Sequence, residues 1–130
     1  MKISTKSQYG LRAMIYLAKN KNKICSLREI ATKEEISFDY LEKIMSKLEK
    51  SGLIKAKKGV QGGYFLSKDP LKIKINEIVK SLEGKPLLVK CFLYPCPRSK
   101  KCLAKNFWQK LSKILESALN SVTLSELIKK

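Results

Sequence analysis

The chain has 130 residues, 28 Lys and Arg against 11 Asp and Glu, a formal net charge of +17, and no histidine. That length supports one domain with a real core, and a hydrophobic content of 44% excludes a disordered chain. The charge points to an anionic partner, nucleic acid or a membrane surface, while the missing imidazole excludes Ser-His-Asp and Cys-His catalysis and histidine-ligated zinc.

Residues 5–19 are expected to form an amphipathic helix, with Tyr9, Ala13, Tyr16 and Leu17 on one face. Asn20 to Asn22 breaks it. Ser26-Leu-Arg-Glu29 reads as a capping box that opens a short helix to about Glu34, burying Leu27, Ile30 and Ala31. Ser37 is the next N-cap. From it Phe38, Leu41, Ile44, Met45 and Leu48 step along one face, and Ser51-Gly52 closes the helix. The second and third helices, separated by a short turn, outline a helix-turn-helix. Residues 53–57 and 64–67 read as strands around the glycine-rich turn Lys58-Gly-Val-Gln-Gly-Gly63, which makes a hairpin, or wing. Residues 72–75 read as a short strand or extended lead-in. Asn76 is expected to cap a helix through Leu82 that Gly84 ends. Residues 85–103 hold Pro86, Pro95, Pro97 and three cysteines and read as an irregular loop. From Ala104 the pattern returns: Trp108, Leu111, Leu115, Ala118 and Val122 form a heptad-like seam, widened by Phe107 and Ile114. Thr123-Leu-Ser-Glu126 reads as a second capping box before a short last helix.

The expected fold is therefore mainly α with a small β wing. It comprises a winged helix-turn-helix at 1–84, a cysteine loop at 85–103, and a long dimerisation helix with a short C-terminal helix at 104–130. Arg12 interrupts the apolar stretch after Lys2 and Lys6, so no export leader is expected. The run Ala13–Ala18 is too short to span a bilayer. A cytoplasmic chain follows, in which cysteines read as thiols or metal ligands before disulfides.

Charge does not locate a binding face. Residues 1–58 carry 14 basic and 6 acidic side chains, residues 59–130 carry 14 and 5, and only Arg12, Arg28 and Arg98 are arginines. Topology is more informative. The third helix exposes Asp39, Tyr40, Glu42, Lys43, Ser46, Lys47 and Lys50, a set of polar groups for base edges and lysines for phosphates. The wing adds Lys57, Lys58 and Gln61 among glycines that let backbone approach a sugar-phosphate rail. A merely solvated lysine face, or a winged helix that binds protein, is the competing reading.

Cys91-x4-Cys96-x5-Cys102 places three thiols in one loop. Zinc sites use Cys-x2-Cys knuckles and four ligands, and neither is present. Three thiolates suit an iron–sulfur cluster with a different or missing fourth ligand. A zinc site, a thiol–disulfide switch or inert residues are the alternatives. Cys25, alone before a helix cap, reads as a small hydrophobe. The heptad seam has little to cover it in a small winged helix, so a second copy is expected to do so, giving a two-fold dimer that reads a pseudo-palindrome. Gly59-x-x-Gly62-Gly63 lacks the Gly-Lys-Ser/Thr ending of a P-loop, and no carboxylate pair supports an enzyme.

These residues resemble the Rrf family of winged-helix bacterial regulators, which includes IscR, NsrR, RirA and CymR. The resemblance rests on Met1-Lys-Ile-Ser-Thr-Lys6 with Tyr9-Gly-Leu11, and on Ser37-x-x-Tyr40-Leu41-Glu42 followed by Gly52-Leu53. It continues through Lys58-Gly-Val-Gln-Gly-Gly-Tyr64, the three cysteines and Thr123-Leu-Ser-Glu-Leu127. It implies a homodimeric transcription regulator, often a repressor, acting on double-stranded DNA and away from membranes. It implies that Cys91, Cys96 and Cys102 hold a cluster, [2Fe–2S] or [4Fe–4S], whose state controls DNA affinity. Recognition falls on Ser37, Asp39, Tyr40, Glu42 and Lys43, and wing contacts on Lys58, Gln61, Gly62 and Gly63. Two positions depart from the pattern. Lys105 stands where IscR-like members have a histidine, and Gln8 where NsrR-like members have an acidic ligand.

Overall fold

The computed structural model describes residues 3–84, 97 and 100–129. Helix α1 spans Thr5–Lys19, and the Ser4 hydroxyl accepts from the Ser7 N–H at its start. Helix α2 spans Leu27–Glu34, with Ser26 as N-cap. The turn to the next helix passes through Glu35, which takes the left-handed conformation at φ 55 although it is not glycine. Helix α3, Phe38–Lys50, starts on the Ser37 cap and ends before Gly52, whose φ of +80 matches the C′ role expected of it.

Strands β1 (Ile54–Lys57) and β2 (Gly63–Leu66) pair antiparallel, with Ile54 opposite Leu66 and Lys57 opposite Gly63. The sheet has one further rung. Cys25 and Tyr64 exchange backbone hydrogen bonds at 3.0 and 2.8 Å, tying the hairpin to the residue just before α2. A single 3-10 turn, Pro70–Lys72, follows, capped by the Asp69 carboxylate. Residue 74 is extended and bridges Thr123, which bears out the lead-in rather than a full strand.

Helix α4 spans Ile75–Glu83 and ends at Gly84. The expected cap is corrected here. Asn76 lies inside α4 and is buried; Lys74 is the N-cap, and its N–H donates to the Glu77 carboxylate at 2.8 Å. Helix α5 spans Lys105–Asn120 and α6 spans Leu124–Ile128. The box expected at Thr123 also fails, since its side chain makes no capping hydrogen bond. Helix α6 is held by backbone instead: the Leu124 N–H donates to the Ile73 carbonyl at 2.8 Å, and the Ile75 N–H to that of Val122 at 3.0 Å.

One core joins both ends of the chain. Met14 and Leu17 of α1 meet Ile30 of α2, Leu41, Ile44, Met45 and Leu48 of α3, Ile78 of α4 and Leu124 of α6. Phe38 departs from its expected face: it is 40% exposed rather than part of this core. Helix α4 packs on α1, α3 and α5, and so connects α3 to the long helix.

Candidate nucleic-acid interface and cysteine loop

The apolar face of α3 is spent on the core, which leaves its other face to solvent. Asp39, Glu42, Lys43, Lys47 and Lys50 are exposed, and Tyr40 and Ser46 are half-buried. From 39 to 50 this stripe runs about 16 Å at 1.5 Å per residue. Ser37 is exposed at its head, its hydroxyl 3.5 Å from the Tyr40 N–H. Asp39 lies in the first turn and Lys47 and Lys50 in the last, the arrangement the helix dipole favours.

An aromatic brace holds the helix. The Tyr40 ring packs edge-on against Tyr9 of α1 with centroids 5.7 Å apart, and the Arg12 guanidinium lies 5.4 Å from the Tyr9 centroid. Arg12 also pairs with the Glu34 carboxylate at 3.2 Å and donates to the Glu34 carbonyl. Tyr40 is thus backed by Tyr9 of α1, which Arg12 links in turn to Glu34 at the end of α2.

In the wing, Lys57, Lys58, Val60 and Gln61 are exposed. Gly62 and Gly63 have a reason internal to the chain. A Cβ on Gly62 would sit 2.1 Å from the Lys57 carbonyl oxygen, and one on Gly63 2.3 Å from that of Cys25. The wing and the stripe of α3 therefore belong to one body: Cys25 and Tyr64 join the hairpin to α2, and β1 packs on α3.

Two residues of this surface escape sequence reasoning. The Arg28 guanidinium lies 5.3 Å from the ring centroid of Phe38. Both are exposed, one in the first turn of α2 and one opening α3. Ten positions separate them, so no local period links them.

Of the loop cysteines, Cys91 and Cys96 lie outside the described residues. Cys102 is exposed, and its carbonyl accepts from the Lys105 N–H at 3.4 Å as α5 begins. Its thiol is open to a soft metal or to oxidants, which suits the donor chemistry of a thiolate-held cluster. Cys25 is fully buried in the core, as its reading as a small hydrophobe requires. Burial pushes its thiol up and the nearby Glu29 adds to this, against an opposing effect of Lys23. Cys25 is therefore not available to such a site. Gln8 is exposed on α1, its amide donating to the Ile3 carbonyl at 3.0 Å. Among the described residues, no three His, Cys, Asp or Glu side chains converge on a possible metal position.

The long helix has no buried residue within one chain. Trp108, Leu111, Leu115 and Val122 are half-buried, while Ala118, Phe107 and Ile114 are exposed. The seam divides along its length. Leu119 and Val122 pack against the chain's own core, Asn76 donates to Asn120 at 3.0 Å, and Lys80 pairs with Glu116 at 3.2 Å. The stretch from 107 to 115 lacks such anchors among the described residues. No helix among them is long and apolar enough to cross a membrane.

Comparison with known proteins agrees with this geometry. The Rrf2 family model, described as an iron-dependent transcriptional regulator, matches residues 3–130. The transcriptional regulator IscR of Klebsiella pneumoniae is 33% identical over 130 residues, covering 98% of this chain and 80% of its own. The structure of T. potens IscR aligns with a TM-score of 0.81 and 35% identity, over 98% of this chain and 86% of that one. CymR, the global cysteine regulator of B. subtilis, aligns with a TM-score of 0.79 and 36% identity, over 98% and 96%.

Proposed function

The chain belongs to the Rrf2 family of transcriptional regulators, and on that premise we propose that it is a homodimeric repressor controlled by an iron–sulfur cluster on the loop of Cys91, Cys96 and Cys102. It is a DNA-binding regulator, not an enzyme. The exposed polar stripe of α3, standing beside the wing, carries the reading.

In this reading α3 enters the major groove. Asp39 and Glu42 can accept from cytosine amines, and Lys43 can donate to guanine. Ser37, Tyr40 and Lys47 contact phosphates beside them, and Lys58, Gln61, Gly62 and Gly63 meet the adjacent rail or narrow groove. The seam from Trp108 through Leu111, Leu115 and Ala118 toward Val122 joins two copies, so that two recognition helices read a pseudo-palindromic operator. A chromosomal target places the protein in the cytoplasm.

Cys91, Cys96 and Cys102 would hold the cluster, which when bound would supply redox-reactive chemistry. With no histidine in the chain, its fourth position falls to another group: Gln8, a small thiol or water. The exposed thiol of Cys102 and the likeness to CymR favour one second reading, a thiol–disulfide switch within the same three cysteines.

Anaerobic purification separates the two. A brown protein holding iron and sulfide, its visible absorbance lost in Cys96→Ala, supports the cluster. A colourless protein whose DNA affinity follows thiol oxidation supports the switch. In the same preparation, Lys58→Ala should weaken binding to all duplexes and lower the salt slope by about 0.9 per subunit. Glu42→Gln should instead change which sequence is preferred. Equal losses on every sequence from both variants would remove the assignment of base reading to α3.

A further inference from the structure

Arginine is scarce in this chain, and its two described copies are used differently. Arg12 is consumed internally, with one nitrogen on the Glu34 carboxylate, another on the Glu34 carbonyl, and its plane near Tyr9. Arg28 rests near the Phe38 ring and, among the described residues, pairs with no carboxylate. Its neighbour Glu29 turns to Tyr16 and Lys23 instead. A guanidinium held by a ring face keeps its N–H donors for another partner, and the ring limits the rotamers it would otherwise lose on binding.

Phe38 gives the second half of the argument. The ring of Phe38 is 40% exposed and lies outside the core that Leu41, Ile44, Met45 and Leu48 anchor, and its one described aromatic contact is with Arg28. Its position makes it the seat of Arg28, where α2 meets the start of α3. In a helix-turn-helix the first helix of the pair crosses the sugar-phosphate backbone while the second enters the groove. A side chain reaching from α2 to the head of α3 therefore meets a phosphate at the groove edge, and a planar fork suits its oxygens.

Resting on the DNA-binding reading above, we infer that Arg28, seated on Phe38, is a phosphate clamp that fixes the register of α3 on the duplex. Lysines elsewhere on this surface supply point charges; Arg28 supplies an oriented one.

The test uses the full chain, one duplex selected by the wild-type protein from a random library, and one unselected duplex of equal length, titrated across potassium chloride concentrations. Arg28→Ala should weaken both by about tenfold and reduce the salt slope by about 0.9 per bound subunit. Arg28→Lys should restore the slope but not the affinity. Phe38→Leu should keep the slope and lose affinity several-fold, because the charge remains without its seat. Unchanged affinity and slope in Arg28→Ala, with the wild type binding normally, overturns the inference alone. A loss confined to the selected duplex, with a new preferred base at one position, overturns the phosphate assignment. A wild-type chain that retains neither duplex overturns the DNA-binding reading and this inference together.

Discussion

Glu29 joins α2 to its own cap, to the preceding turn and to α1 through three contacts. Its backbone N–H donates to the Ser26 hydroxyl at 3.0 Å, while its carboxylate accepts from Lys23 at 2.7 Å and from the Tyr16 hydroxyl. The Lys23 ammonium, then the Tyr16 hydroxyl, hold that carboxyl below its usual range. The same hydrogen bond pushes Tyr16 up to about 12. A depressed carboxylate contributes stability that is present above its unfolded value, about 4.3, and lost as pH falls through the folded one. Tyr16 has the opposite sign: its contribution is complete below pH 10 and disappears as pH rises through about 12. Glu29→Gln should therefore be less stable than the wild type at pH 7, and the difference should shrink as the pH falls below about 4. Urea midpoints at pH 7, 5, 4 and 3 check this. A difference that stays constant down to pH 3 would mean that Glu29 acts by packing rather than by charge.

Among the elements, the wing depends most on close backbone approach. The Cβ of an alanine at 63 would lie 2.3 Å from the Cys25 carbonyl oxygen and 2.6 Å from its carbon, both on rigid backbone rather than on a flexible side chain. Gly63→Ala should cost about 1–3 kcal/mol, read as a lower urea midpoint; an unchanged midpoint would show that the Cys25–Tyr64 rung yields at no cost. The ends of α1, the Ser26 and Ser37 caps, the Gly52 stop and the hairpin all rest on contacts within a few residues, and each stands where periodicity and capping put it. Long-range contacts were not legible. Asn76 looks like a cap until α5 supplies Asn120 as its partner, and Thr123 until its segment pairs with residues 73–75. Phe38 fits an apolar period but meets Arg28 across a turn. At the candidate site, the stripe of α3 was visible because burial of one face dictates the other. The clamp beside it depends on how two helices cross.

For the whole molecule, packing turns on α5, which buries no residue within one chain. Its C-terminal end is anchored at home by Asn120, Glu116, Leu119 and Val122, whereas Phe107 and Trp108, stacked edge-on at 5.0 Å, stand with Leu111, Ile114 and Leu115 on a face no described element buries. Helix α4 packs on both α5 and α3, and so links the long helix to the helix that carries the exposed polar stripe. A partner copy gripping α5 would fix half-site spacing, and Cys102 lies three residues before the start of that helix. Leu111→Glu puts a carboxylate in the seam while leaving the core residues of the chain untouched. Light scattering should then give one chain mass in place of two, with an unchanged helical signal. Affinity for a single half-site should persist, and affinity for the full operator should fall by about a hundredfold or more, because the second contact no longer benefits from being tethered to the first. Val122→Glu distinguishes the two parts of the seam: it strikes the chain's own core and should lower stability. A Leu111→Glu chain that remains dimeric would move the interface away from this face.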